Sequence, residues 1–295
     1  MIKKFFSEKK TVGALALFIT AIIVSLLLLV LQSNSGIKKS MDSDKKTKAV
    51  RMLPAVNAPI KAGTTLVPDF GDIYNVRERK LAFFSYLLPA IQAENEYILA
   101  QRETLTRLHG KVLKGQALTA KENSWIDDLS KYYRVETNDR SKLFNTLLRR
   151  VDIVPETLVL IQAANESGWG TSRFARNARN FFGQWCWTEG CGIVPEQRPN
   201  GERYEVRLFD SMEASVKSYV RNLNTHSAYH DLRSIRRKLR LNEQPVTAVP
   251  LSAGLISYST RGEDYINELQ QMIRVNRPII EAARNELDDE EIIEQ

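Results

Sequence analysis

Between Lys10 and Lys38 the chain carries no charged residue, and within that interval Thr11 to Leu31 is a run of 21 residues dominated by Leu, Ile, Val, Ala and Phe. At a helical rise of about 1.5 Å per residue the run reaches roughly 31 Å, enough to cross the hydrocarbon core of a bilayer. A buried core helix of this length keeps some polar residues, so the run reads as membrane-inserted. Ser33-Asn34-Ser35 offers a signal peptidase a small-x-small pattern, but the run exceeds the roughly 7 to 15 apolar residues of a secretory h-region, which favours a retained signal anchor. Lysines flank it on both sides, so charge alone sets no orientation. The first-segment default puts residues 1–10 in the cytoplasm, 11–31 in the membrane and the body on the far side.

The remaining chain divides by composition. Residues 32–75, rich in Ser, Lys, Asp, Pro and Gly without an apolar period, read as a flexible tether. The net charge of +7 invites a nucleic-acid reading, but almost all of the excess precedes residue 76, and the nearly balanced body argues for no nucleic acid. From Val76 apolar residues recur at helical spacing through Leu81, Phe84, Leu87, Leu88 and Ile91, with Pro89 expected to kink the helix. Thr119-Ala-Lys-Glu122 has the form of a capping box ahead of Trp125, Ile126 and Leu129. Residues 76–138 therefore read as a helical N-terminal lobe. A helix from Asp139, a break near Asp152, and a second helix opening at Val154-Pro155 follow. The alternating run Tyr204-Glu-Val-Arg-Leu-Phe209 predicts a small sheet, and helical period resumes over Met212–Leu223 and Tyr265–Ile273. The fold class is α+β, mainly α, with one small β element inserted mid-domain.

The densest chemistry lies in Ala164-Asn-Glu166-Ser-Gly-Trp169-Gly170, continuing through Asn180-Phe-Phe-Gly183 to Trp185 and Trp187. A carboxyl at the end of an apolar helix sits where desolvation keeps it protonated near neutrality, as a general acid requires. Glycosidic cleavage needs such a proton on the leaving oxygen, and sugar rings stack on aromatic faces. Trp169, Phe181, Phe182, Trp185 and Trp187 supply such faces, with Tyr204 beside them in the alternating run. The plainer reading of Glu166 alone is a solvated or salt-bridged carboxylate.

Three stretches in order tip the balance: Glu-Ser-Gly-Trp-Gly with Asn180-x-Phe-Gly183; Tyr204-Glu-Val-Arg-Leu-Phe-Asp-Ser211 with Ser215 and Tyr219; and Tyr258-Ser-Thr-Arg-Gly-Glu-Asp-Tyr265. In these the chain resembles the β-N-acetylglucosaminidases of bacterial cell-wall turnover, glycoside hydrolase family 73, over about residues 145–275. The resemblance implies a lysozyme-like fold in which a helical lobe presents the acid, a small β lobe faces it, and a glycan groove runs between. It implies Glu166 as proton donor and Glu205 as second acid, with Glu202 and Asp210 as fallbacks, and Tyr258 lining the groove. The implied activity is cleavage of the β-1,4 bond after N-acetylglucosamine in peptidoglycan, from a glucosaminidase domain at 139–280. The body would then face the periplasm, tethered to the inner membrane. The alternatives are a muramidase or lytic transglycosylase on the same fold, and a binding module without turnover. The second half of the reaction is either inverting, with carboxyls about 6.5 to 9.5 Å apart, or assisted by the sugar's own acetamide.

Further features have plainer alternatives. Cys186 and Cys191 are either a structural disulfide closing a small loop or two buried thiols; two cysteines exclude a disulfide-rich scaffold or a Cys-built zinc site. His226 and His230, four apart on an expected helix, could face one metal, but with no third ligand they read as packing or surface residues. Arg233, Arg236, Arg237, Lys238 and Arg240 read as a solvated basic face, or one attracted to anionic wall or lipid. Residues 281–295 read as a solvated acidic tail. No phosphate loop, dinucleotide fingerprint or Ser/Cys-His nucleophile signature is present, so the reading requires neither metal nor cofactor.

Overall fold

Helix α1 (Val76–Leu113) organises the architecture, and its start is set by Asn75, whose side chain accepts the N–H groups of Arg77 and Glu78. Phe84, Leu87, Leu88, Ile91, Ile98, Leu105 and Leu108 form its buried stripe. Pro89 lies inside the helix, not at its end, on the exposed side where water can satisfy the backbone group it leaves unpaired. In a computed structural model, residues 52–57 and 66–293 are described. The expected membrane segment at 11–31 lies outside the described residues, among which no helix is long and apolar enough to cross a membrane.

Helices α2 (Ala120–Tyr132) and α3 (Arg140–Arg150) follow, the first opened by the Thr119–Glu122 capping box with both reciprocal bonds present, the second by Asp139. Next come α4 (Glu156–Ser167), with Pro155 one position before its first turn, and the short α5 (Arg173–Ala178). The small sheet consists of β1 (Trp185–Cys186), β2 (Gly192–Ile193) and β3 (Glu205–Arg207), antiparallel in the order β1-β3-β2. Helices α6 (Met212–Thr225), α7 (His230–Leu241), α8 (Ala248–Ser252) and α9 (Glu263–Ile293) complete the chain. The fold is mainly helical α+β with a small sheet, as the periodicity predicts.

Helix α4 is buried on nearly every face through Leu158, Val159, Leu160, Ile161, Ala163 and Ala164, enclosed by α1, α9 and α8. Since α1 also lies against α9, α6 and α3, residues 76–138 are not a separate lobe. They supply the wall of a unit that extends from Pro54 onward. Part of the stretch expected to be a free tether is docked on this unit as well. The Pro54 carbonyl accepts Trp125 Nε1–H at 2.6 Å, and Phe70 is buried edge-on against Phe83 and Tyr86. The expected acidic tail also begins later than residue 281. Helix α9 buries Ile280 and Ala283, Arg284 bonds Glu156 at 2.9 Å, and Glu286 accepts the Ser85 hydroxyl at 3.0 Å.

The basic run on α7 is not the solvated face its composition suggests. Arg233 and Arg236 are buried and cap helix ends: Arg233 donates to the carbonyls of Leu223 and His226, Arg236 to those of Arg149, Asp152 and Ile153. Such terminal carbonyls have no partner within their own helix, and a guanidinium satisfies several at once. Only Arg237 and Lys238 of the run are exposed. Asp152 supplies the counter-charge, taking two bonds from Arg240 at 2.8 and 3.2 Å with Arg102 at 3.4 Å and Arg236 at 3.8 Å. Burial pushes the Asp152 carboxyl up, but the three guanidiniums outweigh it and hold the group below the usual carboxylate range. Its stabilising contribution is thus present above the unfolded-state pKa and is lost as pH falls through the depressed folded value. Asp152→Asn leaves Arg236 buried without its anion and is expected to cost roughly 3 to 5 kcal/mol. Urea denaturation at pH 7 measures this, and an unchanged midpoint would contradict the assigned role.

Candidate active site

The apolar surround of α4 delivers Glu166 to the helix's last turn, where the chain must turn sharply to escape the core. Gly168, Trp169 and Gly170 achieve this with three successive positive φ angles of 57°, 59° and 76°. The N–H groups of Gly168 and Trp169 return to the Ala164 carbonyl, and the Gly170 N–H bonds Ser167 Oγ at 2.8 Å. Glycine at 170 is obligatory for a second reason: a Cβ there would stand 2.5 Å from the Phe70 ring. Trp169 pays for its own left-handed backbone through packing edge-on to Phe83 and Phe84.

Glu166 forms no ion pair among the described residues. Its Oε1 accepts the Tyr265 hydroxyl at 2.8 Å and, more weakly, Asn165 Nδ2 at 3.4 Å. Burial raises its pKa; the Tyr265 and Asn165 hydrogen bonds pull it back in part, and the nearby Glu268 charge pushes it up again. Tyr265 closes the third of the sequence stretches that resemble the family, but the sequence gives it no functional role, since no spacing rule links it to Glu166. Its hydroxyl also accepts Gln162 Nε2 at 3.0 Å, and Gln162 Oε1 accepts the Tyr219 hydroxyl. With the Gln162 amide oriented this way, the one proton of Tyr265 points at Glu166.

Around this chain stands a cluster of aromatic rings. Phe182 stacks on Tyr219 with centroids 4.0 Å apart, and Tyr258 stacks on Tyr265 at 5.6 Å and packs against Tyr229 at 6.0 Å. Burial pushes the phenols of Tyr219, Tyr229, Tyr258 and Tyr265 above their ordinary value, so all remain neutral donors. Tyr258 is beside the acid as expected, but its hydroxyl donates to the Phe182 carbonyl at 3.0 Å. That contact ties the loop before β1 to the helical side. Phe182 was expected to stack on sugar; at 2% exposure it is a core residue whose face is occupied by Tyr219. Phe181 is fully buried as well.

The Asn180-Phe-Phe-Gly183 segment joins Glu166 to the sheet. Asn180 Nδ2 donates to the Gln184 and Arg207 carbonyls, and its Oδ1 accepts the Gln184 N–H, so one side chain locks the turn to β3. Gly183, at φ 61°, borders the second oxygen of the acid: a Cβ there would lie 4.0 Å from Glu166 Oε2. Two residues on, Trp185 is 51% exposed and stacks on Tyr204 with centroids 4.4 Å apart. Trp187 is 70% exposed. These three rings remain available at the surface, whereas Trp169 belongs to a different face, with Lys80 4.6 Å above its ring.

Glu205 has a different task from the one expected of it. At 5% exposure its two oxygens accept the backbone N–H groups of Gly190 and Gly192 at 3.0 and 2.8 Å. The carboxylate thereby holds the loop closed by the Cys186–Cys191 disulfide. The alternating pattern suggests a solvent-facing Glu205, but β3 is the central strand, with Val206 on the core side and this loop over the other. Glu202 and Asp210 are exposed. Cys186, Cys191 and Glu205 lie close enough together to suggest a metal cluster, but both sulfurs are spent in the disulfide and one carboxylate remains. His226 and His230 do not share a helical face, because α6 ends at Thr225 and a 3-10 turn, Ser227–Tyr229, intervenes. His226 instead accepts the Ala228 N–H, and His230 contacts Arg149.

A half-buried carboxyl at a helix end, held by a tyrosine hydroxyl and lying near a small sheet that bears exposed aromatic rings, suits a sugar-cleaving hydrolase. Residues 141–277 match the family model described as mannosyl-glycoprotein endo-beta-N-acetylglucosaminidase, and the chain belongs to this glucosaminidase family of glycoside hydrolases. Among curated proteins it is similar to Protein bax of Escherichia coli (strain K12), with 39% identity over 223 residues that cover 75% of this chain and 78% of that protein. No solved structure matches it significantly. The disulfide is open to a direct check: a thiol count after denaturation without reductant should find no free thiol and, after reduction, both cysteines. Closing so short a loop contributes at most about 2 kcal/mol by chain entropy, so reduction is expected to loosen the β1–β2 loop without unfolding the protein.

Proposed function

We propose that the chain is a peptidoglycan hydrolase that cleaves the β-1,4 bond after N-acetylglucosamine in glycan strands, with Glu166 as general acid. The observation that carries this reading is the Glu166 carboxyl itself: desolvated, without a counter-ion among the described residues, and hydrogen-bonded by neutral donors. Since Oε1 is occupied by acceptor bonds, the acid's proton resides on Oε2, the oxygen beside Gly183. From there it is delivered to the leaving glycosidic oxygen as the bond to the anomeric carbon breaks. Trp185, Tyr204 and Trp187 form the sugar-stacking rim in a lysozyme-like arrangement of helical lobe, small sheet and intervening groove. Because Glu205 is committed to the loop, the second half of the reaction is assigned to the substrate's acetamide, with water completing hydrolysis. The apolar run at 11–31 serves as inner-membrane anchor and the catalytic body works in the periplasm; the length of that run supports this part.

Digestion of purified sacculi, with mass spectrometry of borohydride-reduced products, tests the reading. New N-acetylglucosamine reducing ends are expected, and Glu166→Gln should lower their formation by about 10² to 10⁴. Muramic or anhydromuramic ends would transfer the protein to the muramidase or transglycosylase class, and wild-type rates in Glu166→Gln would remove Glu166 from the chemistry.

Tyr265 gives a signed pH prediction. The acid works while protonated, so activity falls as pH rises through its raised pKa. The Tyr265 hydrogen bond favours the ionised form. Tyr265→Phe removes it, and the alkaline limb of the kcat profile is expected to move to higher pH. A limb that stays in place or moves down contradicts the hydrogen bond's assigned effect.

A further inference from the structure

A concavity lies beside the Glu166 turn, between α1, the end of α4 and α9. Its volume is about 460 Å³, and its walls include Lys80, Trp169, Glu268, Gln271, Met272 and Asn276, a size and mixture typical of ligand sites. Asn165 lines it too and also bonds Glu166, so the space adjoins the reacting centre. The charges within it are unequal. Glu268 is paired with Arg261 at 2.6 Å. Lys80 has no carboxylate partner among the described residues; its Nζ rests 2.8 Å from Asn276 Oδ1 and over the Trp169 ring. A half-buried ammonium held by an amide and an aromatic face, with no counter-ion among the described residues, is placed to pair with an anionic ligand.

We propose that this cavity binds the carboxylate-bearing peptide stem of the glycan, with Lys80 pairing a stem carboxylate. The assignment rests on the proposed activity, since the stem is the acidic, amide-rich branch that such a strand carries close to the bond being cut. Gln271 offers an exposed amide to the stem's peptide groups, and Trp169 and Met272 offer apolar contact to its methyl-bearing carbons. A neutral sugar fits less well, because Lys80 covers the Trp169 face on which a sugar would stack and a sugar leaves the ammonium unpaired. Lys80 lies outside residues 141–277, so the site is added to the glucosaminidase domain by the preceding helix.

Calorimetric titration of the full-length protein decides the point, using as probes the acidic tetrapeptide alanyl-γ-glutamyl-diaminopimelyl-alanine, its fully amidated form, and neutral chitotetraose. The acidic peptide is expected to bind at least about tenfold more tightly than the amidated one, the size of one charge-assisted contact. Lys80→Met should abolish that difference and Lys80→Arg retain most of it. Equal affinity of the wild type for the two peptides, or no binding of either, overturns the proposal whether or not the Met variant folds. Sacculus digestion run in parallel separates the two readings. Peptide discrimination without cleavage leaves the stem site standing and removes the hydrolase; cleavage without discrimination does the reverse.

Discussion

The end of α4 is the constraint on which the site depends. A helix buried on almost every face cannot fray into solvent, so its last turn must be closed within a few residues. The three left-handed residues from Gly168 to Gly170 do this. Their consequence is chemical as well as geometric: the turn leaves Glu166 in the helix's last turn, next to the buried Ser167 and at the margin of the low-dielectric surround that the helix needs for its own stability. Desolvation of the Glu166 carboxyl is therefore a by-product of core packing, and its raised pKa follows from the fold.

Two partly enclosed carboxylates show how surroundings determine role. Asp152 is met by three guanidiniums and remains ionised; from the α3–α4 connection it ties α1 and α7 together and would make a poor proton donor. Glu166 is met by a phenol and an amide, which hydrogen-bond without bringing charge, and its pKa rises. Tyr265 orients the carboxyl, and burial keeps it and the neighbouring Tyr219, Tyr229 and Tyr258 neutral, so none brings a charge to the site. Exchanging the neighbours of the two groups would exchange their chemistry. Glu205 is a third case, a carboxylate whose backbone N–H partners put it to structural use.

Local signals in the sequence were dependable where one element determines the outcome. The capping box at Thr119, the helix from Asp139, the sheet at 204–209 and the acid at a helix end are all read from residues close together in the chain. The failures share a cause, which is that the deciding partner is distant. Arg236 looks solvated until the carbonyl ends of α3 are placed beside it, Glu205 reads as a second acid until the N–H groups of the disulfide loop are placed on both its oxygens, and Phe182 looks like a sugar platform until Tyr219 stacks on it. Tyr265 is the converse: its partner lies 99 positions away, and its role is visible only once α9 is laid against α4.

The same reasoning revises the part played by the N-terminal helix. Residues 76–138 lie outside the stretch that resembles the glucosaminidases, yet the turn after Glu166 is shaped by what α1 and its preceding residues contribute. Phe70 occupies the space that forbids a side chain at Gly170, and Phe83 and Phe84 hold Trp169 in a backbone conformation it would otherwise avoid. Removing α1 would leave the turn without the contacts that offset its strain, and the acid without a fixed position. The helix is thus a structural support of the turn that holds Glu166, through the contacts of Phe83, Phe84 and Lys80 with Trp169.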